Sequence, residues 1–171
     1  WLEAERLLQP TASHGGVGNG TFAYTKELPT RAPVSIGQVW GFMDSQETVG
    51  ISPASYAEQI FPHYRKIADM YGLMSYGCCE PVDAIYDSCL SKLDKLRKLS
   101  VSAWCNEEFI GERLKGKKTI FHRKPSPNYL GLGADLDEDG WRKHITRTLK
   151  AARGCKLEIT QRDVYTVNND F

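Results

Sequence analysis

Five short apolar runs, separated from one another by helix-like stretches, restrict this chain to a small set of folds. They occupy residues 39–43, 73–76, 98–103, 119–122 and 157–160. Ser52-Pro53 opens the first helix, with Ser as N-cap and Pro at the first helical position. Tyr56, Ile60, Tyr64, Ile67 and Ala68 carry it to about residue 70, and Gly72 ends it. Ile85, Cys89, Leu90, Leu93 and Leu96 predict a helix over 83–96, and residues 106–114 predict another. Asp137 caps a last helix running to about residue 153 on the stripe Trp141, Ile145, Leu149 and Ala152, with Gly154 as its stop. Strand and helix alternating every ~20–40 residues is the sequence form of βα units in a parallel sheet.

The fold class is therefore α/β. No Gly-rich dinucleotide turn marks a doubly wound sheet, so a barrel is the expected architecture. A complete barrel of this class has eight strands and ~250 residues, whereas this chain has 171 residues and five candidate strands. The first residue is Trp1 and the opening reads as mid-helix. Both features lead to the expectation of a piece of a longer polypeptide: an N-terminal helix and Gly-rich loop over 1–33, then part of a barrel over 34–171. An open half-barrel has unpaired edges that must be covered, so self-association into a homo-oligomer is expected.

Charge excludes some classes of partner. The net charge of +1, from 22 basic and 21 acidic side chains, gives no electrostatic case for nucleic acid. No apolar run approaches the ~20 residues that span a membrane, and charges interrupt the apolar pattern of the first eight residues, unlike a signal or transit peptide. The five cysteines show no small-protein disulfide spacing, which fits a reduced, cytoplasmic protein. The stretch His14–Thr21 has the glycine separation of a phosphate loop but lacks its lysine and its preceding strand. It is expected to be a surface loop that continues to about Pro33.

In parallel barrels the chemistry sits at the C-terminal ends of the strands. That rule selects Asp44, Gln46 and Glu47, then Cys78, Cys79 and Glu80, then Ser102 and Trp104, then His122, Arg123 and Lys124, then Gln161 and Asp163. Two thiolates with an oxygen or nitrogen donor suit zinc. Successive strand residues face opposite ways, so Cys78 and Cys79 share a side only if the strand has already ended. Pro81 stiffens the loop after Glu80; the carboxylate is either a site group or the cap of the helix that follows. Arg123 and Lys124 are placed to bind a carboxylate-bearing small molecule.

Val39-Trp-Gly-Phe-Met-Asp-Ser-Gln46, Ser52-Pro53, Tyr76-Gly-Cys-Cys-Glu-Pro81 and Arg123-Lys-Pro-Ser-Pro127 together resemble the uroporphyrinogen decarboxylase superfamily. This is a group of (βα)8 barrels that includes corrinoid-dependent methyltransferases. The resemblance runs from about Glu27 to Thr166 and covers the family's C-terminal portion. It implies methyl transfer from a small methylated substrate to a corrinoid carried by a partner protein, with zinc a possible cofactor. Cys78 matches the branch's first cysteine ligand, and Tyr76 stands where its histidine would be. Cys78, Cys79 and Glu80 would be the metal ligands. Glu80, Cys78 and Asp44 would be catalytic, and Gln46, Tyr76, His122, Arg123, Lys124, Gln161 and Asp163 would bind substrate. The alternatives are a decarboxylase-like carbon–carbon lyase without a cofactor, in which Arg123 and Lys124 hold carboxylates, and a non-catalytic, self-associating half-barrel.

Overall fold

The computed structural model of the chain describes residues 14–16, 22–29, 35–130, 135–162 and 164. The expected helix over 1–8 and the site candidate Asp163 lie outside the described residues. Among the described residues there are seven strands: β1 (His14–Gly16), β2 (Phe22–Tyr24), β3 (Trp40–Met43), β4 (Leu73–Tyr76), β5 (Leu96–Val101), β6 (Ile120–Arg123) and β7 (Lys156–Ile159). Strands β3 to β7 form one sheet in which every neighbouring pair is parallel and spatial order equals chain order. That order is the one a segment of a barrel would have, and it lacks the reversal of a doubly wound sheet. β1 and β2 pair antiparallel where a loop was expected.

The intervening helices are α1 (53–68), α2 (Asp83–Tyr86), α3 (Glu107–Leu114) and α4 (Glu138–Ala151). The starts of α1, α3 and α4 follow the capping rule. The side chains of Ser52, Asn106 and Asp137 accept hydrogen bonds from the backbone N–H groups of Ser55, Phe109 and Gly140. α1 is interrupted by a π-helical stretch, Tyr56–Ile60, a device often found beside functional sites.

The helix expected over 83–96 is corrected to a single α-turn followed by a 3-10 turn at Leu90–Lys92. Asp87, Ser88 and Ser91 favour local side-chain-to-backbone bonding over helix, and Ser91 Oγ indeed donates to the Asp87 carbonyl. Leu93 must already be extended to feed β5. Ile85, Cys89, Leu90, Leu93 and Leu96 are nevertheless all buried: the apolar spacing marked burial correctly and the element wrongly.

The sheet has two unlike faces. Met43, Met74, Tyr76, Leu96, Leu99, Val101 and Phe121 share one continuous core with Tyr56, Phe61 and Ala68 of α1 and Ile110 and Leu114 of α3. Residues of the opposite parity include Ser75, Lys98, Ser100 and His122, all buried and all polar, with Trp40 and Leu73 packed on Leu28 at one edge. A bulge keeps the parity in step: Met74 pairs with Leu96 and Ser75 with Lys98, so Arg97 is the extra residue.

The expected apolar stripe of α4 is only partly buried. Leu149 is 54% exposed, and Trp141 and Ile145 line an open groove with Leu136. Of the expected stripe Ala152, just past the end of α4, is buried, and within the helix Thr148 turns inward beside it. It lies so close to α3 that a methyl group on Gly111 would collide with the Ala151 carbonyl. Among the described residues, no helix is long and apolar enough to cross a membrane.

Candidate functional site

Gly77 ends β4 with φ of +95°, a left-handed conformation that glycine adopts without strain. This turn brings the next three residues together at the C-terminal edge of the sheet. Both cysteines fall on one side of the chain, their Sγ atoms 3.6 Å apart. The strand has ended before them, so alternation no longer separates them. Cys78 is buried and Cys79 half-buried.

Glu80 is buried and works as a clamp. Its Oε1 accepts from the Ser45 N–H at 2.8 Å and its Oε2 from the Cys78 N–H at 2.8 Å, tying the end of β3 to the end of β4. The Tyr76 hydroxyl donates to Ser45 Oγ at 2.8 Å and shares a 2.6 Å bond with the Tyr56 hydroxyl. Burial raises the pKa of both phenols, so this chain of hydroxyls is neutral. A cleft of about 140 Å³ opens alongside, walled in part by Ser45, Thr48, Tyr56, Glu80 and Pro81. Glu80→Ala should cost about 1–3 kcal/mol, since it leaves two buried N–H groups without their acceptor. Chemical denaturation checks this, and a loss no larger than that of an exposed Glu58→Ala control would refute the clamp.

Lys124 approaches from the end of β6. Its Nζ donates to the Cys78 carbonyl at 2.9 Å, and Ser100 Oγ donates to the same oxygen at 2.7 Å. Burial lowers the Lys124 pKa, while the neighbouring Cys78, Cys79 and Glu80 support its charge. Asp44 belongs to the same electrostatic group. Burial, Glu80 and Glu47 push its carboxyl pKa up, against the pull of Lys124.

His122 lies on the polar face of the sheet, with Nε2 2.9 Å from Thr160 Oγ1 and 3.7 Å from Glu158. Burial, then the positive charges of Lys98, Lys124 and Arg162, lower its pKa to about 2. Lys98, fully buried, pairs with Glu158 at 2.5 Å. The unfolded chain protonates His122 near its ordinary value of 6.5, whereas the folded chain holds it neutral. Stability is therefore complete above that value and falls as pH drops below it. Between about pH 6 and pH 4 this group should contribute a loss of up to about 1.4 kcal/mol per pH unit. His122→Gln should flatten that slope in urea titrations, and an unchanged slope would assign it elsewhere.

The structure thus brings together Cys78, Cys79, Glu80 and Lys124, with Asp44 and His122 within electrostatic reach of Lys124. It separates the others. Arg123 projects to the helical face, where Nη1 donates to the Ser102 carbonyl at 2.5 Å and Nε lies 3.4 Å from Glu107. Strand alternation after His122 explains this. Tyr76 packs its ring into the core and reaches the site only through its hydroxyl, which bonds Ser45 beside Glu80. Gln46 is exposed on a 3-10 turn, and the Gln161 amide donates to the neighbouring Arg162 carbonyl. Trp104 is 76% exposed. Ser45 and Tyr56 were missed by sequence reasoning. Ser45 lay within the strand-end window but carries no charge or thiol, and Tyr56 reads as an ordinary helical core position.

A catalytic zinc site takes three protein donors and keeps one position open. Cys78 and Cys79 supply two, while both Glu80 oxygens already accept backbone N–H groups. Among the described residues no three His, Cys, Asp or Glu side chains converge as metal ligands. Comparison with protein-family models, curated proteins and solved structures finds no match to the chain.

Proposed function

We propose that the C-terminal edge of the sheet is the substrate site of a carbon–carbon lyase that decarboxylates a small carboxylated ring without a cofactor. This would be the decarboxylase-like chemistry of a uroporphyrinogen decarboxylase-type barrel, of which this chain would form part. The observation that carries the reading is the buried Lys124 Nζ held against the Cys78 carbonyl at 2.9 Å, at the same sheet edge as Glu80 and within electrostatic reach of Asp44, whose carboxyl pKa burial, Glu80 and Glu47 raise.

Lys124 would hold a substrate carboxylate, having donors to spare beyond its bond to Cys78. Asp44 would deliver its proton to the ring carbon that bears the departing group. The bond from that carbon to the carboxylate then breaks, carbon dioxide leaves, and its electron pair restores the ring. Burial around Lys124 excludes water and strengthens the ion pair with the substrate. Neutral His122 adds no competing charge.

The test is carbon dioxide release from a panel of aromatic and heteroaromatic carboxylates. Asp44→Asn should lower kcat about 10²–10⁴-fold, the usual contribution of a general acid. Lys124→Met should raise KM about 10–100-fold, the equivalent of one charge-assisted hydrogen bond. Absence of release across the panel, or Asp44→Asn at full activity, would sink the reading.

A second reading is favoured by the two thiols at 3.6 Å: methyl transfer from a small methylated substrate. A corrinoid on a separate partner protein would supply the methyl-carrying chemistry, and Cys78 and Cys79 would flank the substrate. Isotope from a labelled methyl donor appearing on the partner would select this reading over decarboxylation.

A further inference from the structure

The loop after Gly77 holds more than a substrate edge. Cys78 and Cys79 are adjacent in sequence, lie on the same side of the backbone and have sulfurs 3.6 Å apart. None of the five cysteines is in a disulfide. The peptide unit joining the two is held through its carbonyl, which accepts from Ser100 Oγ at 2.7 Å and Lys124 Nζ at 2.9 Å, and the preceding peptide is held by the Cys78 N–H donating to Glu80. Gly77, with its left-handed φ, is the hinge immediately before it.

We propose that Cys78 and Cys79 form a reversible disulfide-forming pair, closing an eight-membered ring when a low-molecular-weight disulfide oxidises them. The half-buried Cys79 sulfur attacks one sulfur of the small disulfide; that S–S bond breaks and one small thiol leaves. Cys78 then attacks the Cys79 sulfur of the mixed disulfide, forming the ring bond and expelling the second small thiol. Two protein thiols are oxidised, one small disulfide is reduced to two thiols, and the two thiol protons pass to the leaving groups.

Closure must shorten the sulfur separation to ~2.05 Å, which requires twisting the peptide between the two residues. The twist pulls that carbonyl away from Ser100 and Lys124. Ring closure is therefore coupled to the position of the Lys124 ammonium, and the strained ring is easily reduced again. Cys105 is buried, with its pKa raised chiefly by burial, and Cys155 is likewise raised, so neither competes as the attacking thiolate. The inference stands on the spacing of the two thiols and on the bonds to their shared peptide, not on the decarboxylase reading, which carbon dioxide release tests separately.

The experiment is incubation of the folded, reduced chain with glutathione disulfide, followed by acid quench, alkylation in denaturant and peptide mass mapping. The expected peptide containing residues 78–79 is lighter by two hydrogens and refuses alkylation, while Cys89, Cys105 and Cys155 are alkylated. Mild dithiol treatment should restore both sites. Glutathione remaining attached at Cys79, or both thiols alkylated, would overturn the pair. In Lys124→Met the equilibrium with the glutathione couple should move about tenfold toward the ring, because one charge-assisted bond no longer opposes the twist. An equal equilibrium in the variant and the parent would overturn the coupling to Lys124.

Discussion

Glu107→Ala should destabilise the chain by about 3–5 kcal/mol, because it strands a cation that is already out of water. The Glu107 and Arg123 side chains are each 3% exposed and 3.4 Å apart. Glu107 also accepts from Thr148 Oγ1 at 2.7 Å and pairs with Arg147 at 3.2 Å. It stands in the first turn of α3, where a carboxylate meets the helix dipole favourably. One carboxylate thus joins β6, α3 and α4. Removing it takes away the carboxylate paired with the buried Arg123, whose Nη1 is left with the Val101 and Ser102 carbonyls. Against a total stability of ~5–15 kcal/mol for an ordinary domain, that loss is a large share. Equilibrium urea unfolding with circular dichroism measures it. The double variant Glu107→Leu with Arg123→Met should recover most of the loss, since an apolar pair of similar volume carries no desolvation cost. A double variant as unstable as the single one would show that packing at this point, not charge, is what matters.

Gly111→Ala should be nearly as damaging, although alanine is the better helix former by ~1 kcal/mol. The added methyl would overlap the Ala151 carbonyl, and a backbone oxygen cannot swing aside as a side chain can. α3 and α4 would have to separate, opening the layer above β6 where Ile110, Leu114 and Ala152 are buried. Overpacking of this kind costs typically 1–3 kcal/mol, and more where backbone is the obstacle. At ~2–4 °C per kcal/mol for a chain of this size, the melting temperature should fall by about 5–10 °C. The exposed neighbour Glu112→Ala, on the same helix, should shift it little. A Gly111→Ala variant melting with the parent would mean that the two helices slide apart at small cost.

How much of this was legible in advance depended on which physical signal each residue carried. All five parallel strands could be read, because a short apolar run between helices has few other homes. β4 matched its expected bounds, and the others shifted by one or two residues. The caps Ser52 and Asp137 were equally clear. Apolar spacing failed where two geometries bury the same residues, as after Tyr86. It also failed on α4, where the largest apolar side chains stay partly outside because small residues allow a closer helix contact. In the site, the strand-end rule found Asp44, Glu80 and Lys124. It placed Arg123 with Lys124, which the pleat puts on opposite faces. The pairing of Cys78 with Cys79 hinged on Gly77 leaving the strand, a backbone angle that residue types alone do not specify.

In the sheet from β3 to β7 each strand lies beside the one made just before it. Synthesis order and spatial order are therefore the same. As the chain leaves the ribosome, every new strand meets an edge that already exists, and no strand waits for a later one to fill a gap. Each pairing closes a loop of only a few tens of residues, so the entropy of closure stays small and roughly equal at each step. Growth can then proceed as successive additions to one edge, from β4 on β3 to β7 on β6. Interruption at any strand boundary would leave a smaller sheet of the same kind, not a misordered one.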